Sequence, residues 1–143
     1  MARVQIELPQ SWLFRTRLGV RVTDVNYGGH LGNDRVLGLA HEARVHWLAS
    51  CGLSEKDVGG VGLIMADAAL VFRGEAFLGD ELEVELGTID VRRSGFDLVY
   101  RLTRPADAAE IALVKTGMVC FDYAARKVAR LPQGLLRCLG SVS

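Results

Sequence analysis

From residue 14 to residue 22, apolar and polar side chains alternate: Phe14, Thr16, Leu18, Val20 and Val22 fall on one side, and Arg15, Arg17, Gly19 and Arg21 on the other. A period of two is that of a strand with one buried face, so this run predicts a β-strand. A weaker alternation over residues 3–8 stops at Pro9. The period then changes. Val36, Leu37, Ala40, Ala43, Trp47, Leu48 and Cys51 recur at helical spacing, and Gly52 follows where a helix usually stops. They predict one long helix over roughly 33–51, with an apolar stripe broad enough to be wrapped by sheet.

The stretch 53–62 contains Gly59, Gly60 and Gly62 and reads as a mobile connection. A phosphate-binding loop would need a Lys and a strand-to-helix context that are missing there. From Leu63 the period returns to two in four β-rich runs, at 63–73, 81–92, 96–104 and 110–122. Arg93-Ser94-Gly95 and Pro105-Ala106-Asp107 supply tight turns between the last three, and connections this short make neighbours antiparallel. Residues 132–139, with Leu135, Leu136 and Leu139, predict a short closing helix. One strand, one central helix and a meander of four strands make an α+β fold, a curved antiparallel sheet of about five strands around a single long helix.

Composition adds limits. A chain of 143 residues, 50% hydrophobic and 24% charged, is the size and balance of one globular domain, taken as residues 1–143. Lys+Arg and Asp+Glu both total 17, so the net charge of zero points to neither nucleic acid nor an anionic membrane as a partner. There is no secretory leader pattern and no apolar run of about 18 residues, so a cytoplasmic location is the expectation. Cys51, Cys120 and Cys138 are an odd number without a Cys-x-x-Cys pair, which predicts reduced thiols rather than a disulfide framework or zinc ribbon. His41 and His46 suggest a zinc-protease motif, but a spacing of five puts the rings roughly 140° apart on the helix, and no metal site is expected.

Candidate chemistry gathers just before the helix, in Thr23-Asp24-Val25-Asn26-Tyr27-Gly28-Gly29-His30-Leu31-Gly32-Asn33-Asp34. Gly28, Gly29 and Gly32 allow positive φ or close approach to a ligand, and make substrate contacts with Asn33 plausible. Asn33 or Asp34 is placed to cap the helix, whose first N–H groups favour an oxyanion or polarised carbonyl. His30 can carry a proton near neutral pH, and Asp24 suits either a base or an anchor for loop amides. The alternative is an ordinary strand-to-helix turn. Glu42 lies off the apolar stripe near Leu39 and His46, either as a groove acid or as half of a surface i,i+4 pair. Cys51 and Cys120 lack the surroundings of a nucleophile. Arg73, Arg92, Arg93 and Arg104 end strands and are solvated or meet phosphates.

Asp24-x-Asn26 with His30 and Asn33, Gly79-Asp80-Glu81-Leu82-Glu83-Val84, and Cys120-Phe121-Asp122 followed by Arg126-Lys127-Val128 give the chain its resemblance to the hotdog-fold thioesterases, over roughly residues 12–132. The likeness is to the 4-hydroxybenzoyl-CoA and acyl-ACP thioesterase branch. It implies a hotdog fold, hydrolysis of an acyl-CoA thioester without a further cofactor, and a homodimer or homotetramer with sites between subunits. Two departures stand out. Asn26 occupies the position of the hydroxybenzoyl branch's catalytic Asp, and His30 lies two residues farther from Asn26 than in the acyl-ACP branch. The resemblance therefore passes the acid to Asp24 or Glu42, with Asn26 and His30 orienting water and carbonyl. A hotdog hydratase or dehydratase, or a non-catalytic acyl-CoA-binding protein, is the alternative.

Overall fold

The structure, a computed structural model, describes residues 3–140. Its elements are β1 (Phe14–Gly19), α1 (Asn33–Ser50), β2 (Gly62–Phe72), β3 (Glu81–Ile89), β4 (Gly95–Arg104), β5 (Ala109–Asp122), β6 (Lys127–Val128) and α2 (Gln133–Cys138). Every strand pair is antiparallel, in the order β1-β3-β4-β5-β2, and the short β6 pairs with β5. The expected α+β fold of a curved sheet around one long helix is what forms.

Alternation places the core. Leu82, Val84 and Leu86 of β3, Phe96, Leu98, Tyr100 and Leu102 of β4, and Val114, Thr116, Met118 and Cys120 of β5 are buried on the face toward α1, with registers such as Leu98↔Thr116 and Phe96↔Met118 stacking them in rows. α1 answers with Val36, Leu39, Ala40, Ala43, Trp47 and Leu48. Trp47 meets Phe96 edge-on at 6.3 Å, while Ala40 and Ala43, both at zero exposure, let the helix backbone approach the sheet. The opposite face carries charge: Glu85 takes Arg101 and Arg15, and Arg101 lies 4.7 Å from the Trp12 ring. Gly87 leaves room for Pro9 and Ser11, so the N-terminal segment crosses this outer face where a Cβ would collide with it.

Several local expectations change. The strand expected over 14–22 ends at Gly19, because Val22–Asp24 winds into a 3-10 turn that leaves Val22 exposed. β3 stops at Ile89, where Asp90 takes φ +54 and begins the turn. The connection expected to be mobile is pinned: the Asp57 carboxylate accepts from the N–H groups of Gly59 and Gly60, Val58 is fully buried, and Leu63 N–H donates to Glu55 O. Residues 3–8 form no strand.

The cysteine expectation is corrected for two of three residues. Cys51, at the end of α1, and Cys138, at the end of α2, form a disulfide across a Cα–Cα distance of 6.0 Å. Their separation of 87 residues hid the pair, since sequence spacing carries no information about a contact made only by the closing helix. Cys120 is a free, buried thiol, pushed up by burial to about 11, which suits an inert core side chain.

Candidate active site

The loop before α1 is built largely by hydrogen bonds to itself. Asp24 is buried, and its carboxylate accepts from the backbone N–H of Arg21 at 2.9 Å, so it anchors the 3-10 turn. Its carbonyl accepts from Gly32 N–H, closing the loop at its far end. Asn26 Oδ1 accepts from the N–H groups of Gly28 (3.0 Å) and His30 (3.3 Å), and the Asn26 backbone pairs with His30 and Gly29. Gly29 turns the chain at φ +83. Asn26 is thus a brace that fixes where His30 sits, with its amide NH2 left over for a ligand.

His30 is held from the other side by the segment after β2. Its backbone bridges Phe77, its ring lies 5.0 Å from the Phe77 ring, and its Nδ1 is 3.3 Å from Glu75 Oε1. Leu31 N–H donates to Ala76 O. A cleft of about 500 Å³ results, lined by Asn26, His30, Gly32, Asn33, Asp34 and Glu75 among others. α1 begins in this cleft. Its N-cap is Gly32, not Asn33 or Asp34 as the sequence suggests, and no side chain caps it. A Cβ at Gly32 would come within 2.6 Å of Asp34 Oδ1, so a larger residue there would displace the exposed Asp34 carboxylate. Gly32, Asn33 and Asp34 of this uncapped turn line the cleft, and with Arg35 N–H taken by Gly32 O, the N–H groups of Asn33 and Asp34 and the helix's partial positive charge are left at its wall.

Asp24, Asn26, Gly28, Gly29, His30, Gly32 and Asn33 are therefore brought together, and Glu42 is not. It lies nine residues up α1 from Asn33, about 13 Å along the axis at 1.5 Å per residue. There it pairs loosely with His46 (3.6 Å), whose Nδ1 is 3.1 Å from Thr16 Oγ1 on β1. The acid beside His30 is Glu75, which sequence reading missed. Only the fold-back of residues 74–77 onto the loop joins them, and nothing local announces it.

A second missed group lines a neighbouring cleft of about 280 Å³, formed by Asp34, Leu37, Gly38, His41 and Arg44 of α1 with Met65 of β2. Arg44 is buried, donating to Glu55 Oε2 (2.8 Å) and Tyr100 Oη (2.9 Å), and Tyr100 Oη lies 2.8 Å from Thr116 Oγ1. Glu55 also takes His41 Nε2 at 2.7 Å. Burial pushes the Glu55 carboxyl up, but hydrogen bonds from Arg44 and His41 outweigh it and hold the group below the usual carboxylate range. The signal for Arg44 was present: it falls four residues after Ala40 and three before Trp47, on the apolar stripe itself.

Comparison with known proteins settles the family. A model of the thioesterase-like superfamily matches residues 20–139. The chain belongs to the thioesterase-like superfamily. It is 31% identical over 117 residues to a 1,4-dihydroxy-2-naphthoyl-CoA hydrolase from Synechocystis, covering 80% of this chain and 85% of that one. The crystal structure of a 1,4-dihydroxy-2-naphthoyl-CoA thioesterase from Synechocystis superposes with a TM-score of 0.82 at 28% identity, over 90% of this chain and 96% of the other. A Staphylococcus aureus protein solved in complex with CoA shares the fold at a TM-score of 0.81 and 16% identity, covering 95% of this thioesterase-family chain and 86% of its own. The expectation of a hotdog thioesterase holds for fold, family and reaction class.

Proposed function

We propose that this chain hydrolyses an acyl-CoA thioester in the cleft at the start of α1. The observation that carries the reading is the uncapped N-terminus of α1 opening beside the His30–Glu75 pair. The thioester carbonyl oxygen takes the N–H groups of the first turn, which stabilise the oxyanion as it develops. The Glu75 carboxylate, 3.3 Å from Nδ1, favours the tautomer that carries its proton there, leaving Nε2 to take a proton from water as that water attacks the carbonyl carbon. Collapse of the tetrahedral intermediate breaks the C–S bond, and the imidazolium returns the proton to the departing thiolate. Asn26 positions His30 and offers its NH2 to the water or the carbonyl. Asp24 anchors the loop. Glu42 is the rival acid, and its distance from the cleft favours a supporting role to His46.

A homodimer completes the reading. β2 is an outer strand whose second edge has no partner among the described residues, and Met65 and Phe72 on its helix-side face are exposed. The loop site lies by the Phe72 end of β2. A cleft lined by Arg92, Arg93 and Arg130 lies by the Gly62 end, where Gly62 registers with Phe121 and Phe121 with Val128. Pairing two copies through β2 about a two-fold axis sets the arginine cleft of one beside the loop of the other, so that CoA phosphates and reacting thioester are held by different subunits. Binding of a CoA thioester, with acyl groups of the dihydroxynaphthoyl kind as first candidates, and a cytoplasmic location belong to the same proposal. No helix among the described residues is long and apolar enough to cross a membrane.

The test is thiol release from a panel of acyl-CoA esters. Turnover with at least one aryl- or alkyl-CoA is expected. Hydration of an enoyl-CoA without thiol release would instead identify a hydratase, and tight binding of CoA esters without turnover a binding protein.

A further inference from the structure

The groove between α1 and β2 adjoins the loop cleft, with Asp34 lining both, and His41 lines it about two helical turns farther along α1. His41 is half exposed there, with its Nε2 committed to Glu55 at 2.7 Å. A carboxylate only accepts, so the proton between them sits on Nε2, and Nδ1, which accepts a hydrogen bond whenever the ring carries that single proton, has no partner among the described residues. The ring is not free to turn. Glu55 is itself fixed by Arg44, which Tyr100 holds from the core side. So much buried structure behind one exposed ring is more than a surface pair needs.

We propose that His41 is a specificity-determining residue of this site, its Nδ1 accepting a hydrogen bond from a hydroxyl group at the end of the acyl moiety far from the thioester. Glu55 and Arg44 are positioning residues that fix the tautomer and the ring. The distance suits this role. From Asn33 to His41 is about 12 Å along the axis, shortened because helical side chains lean toward the N-terminus. A carbonyl seated at the first turn therefore leaves His41 within reach of a bicyclic aryl group or a medium-length chain, and out of reach of an acetyl group. Leu37, Gly38 and Met65 supply an apolar wall for the body of that group. The inference rests on the thioesterase reading for its substrate.

Three substrates test it: a hydroxylated bicyclic aryl-CoA, its methyl ether and the unsubstituted parent. The wild type is expected to favour the hydroxylated ester over both others by about tenfold or more in kcat/KM, the worth of one well-placed hydrogen bond. His41→Leu should bring the three within about twofold of one another, through loss on the hydroxylated ester alone, and His41→Gln should keep part of the preference because its amide can still donate to Glu55 and accept from the ligand. An unchanged preference in folded His41→Leu, or an equal fall on all three esters, would overturn the assignment. Binding of the free hydroxylated acid, followed by calorimetry, needs no turnover and should weaken about tenfold in His41→Leu. If no ester is hydrolysed while that acid still binds through His41, the thioesterase reading falls and the His41 assignment stands. Hydrolysis without discrimination by His41 gives the reverse.

Discussion

At the scale of single residues, the proposed loop chemistry depends on an acid that lies more than forty positions after His30 in the chain. Glu75→Gln and His30→Ala should each lower kcat by about 100-fold or more, the usual cost of removing general-base catalysis. Their double variant should lose much less than the product of the two effects, because a histidine and the carboxylate that orients it act as one unit. Steady-state kinetics on the four proteins checks this, and a multiplicative result would show that the two act apart. Glu42→Gln is the matching control: Gln keeps helix propensity, and turnover within about threefold of wild type is expected. A loss of about 100-fold would instead make Glu42 the base. Glu55 gives a pH prediction. Its folded carboxyl titrates below its unfolded value of about 4.3, so its contribution to stability is complete above that value and is lost as the pH falls through the folded one. Acid unfolding should therefore be less steep in Glu55→Gln than in wild type below about pH 5, as followed by circular dichroism.

At the scale of elements, the disulfide ties the C-terminal ends of both helices, α1 and α2, across the closing part of the fold. Cys51→Ser should cost about 2–4 kcal/mol in urea unfolding, and a reducing agent should lower wild-type stability by a similar amount while leaving the variant unchanged. Elements with a clean period were legible from sequence: β4 and β5 fell within a residue of their expected limits, and α1 began at Asn33 as its pattern required. Elements fixed by distant partners were not. β6 is two residues long and exists only because Phe121 and Asp122 offer a register for it. Leu39 and Leu37 exchanged roles, since the sheet covers one side of α1 more deeply than the other: Leu39 is buried, while Leu37 lines the groove. The candidate site divided in the same way. The loop was readable because its glycines, Asn26 and His30 are contiguous, whereas Glu75, Glu55 and Arg44 enter through folding alone.

At the scale of the whole molecule, the proposed dimer gives a direct test. Replacing Met65 and Phe72 with Lys places two charges on the exposed helix-side face of β2. The double variant should sediment as a monomer at micromolar concentration, where wild type is expected to sediment as a dimer, and should lose most thiol-releasing activity, since neither copy then holds both the arginines and the loop and Met65 no longer walls the acyl groove. An active monomer would show that one chain suffices.

The opposite edge of the sheet bears on how far such association can go. β1 is only six residues long, and its Arg15 and Arg17 are ion-paired to Glu81, Glu83 and Glu85 of β3, as edge strands are when they resist further pairing. In the proposed dimer each copy therefore has one adhesive border and one inert border. Joining the adhesive borders consumes both, and the combined sheet has inert strands at its two extremities. On that arrangement polymerisation along the sheet stops at two chains, through strand length and charge, and a larger particle would have to grow by stacking faces.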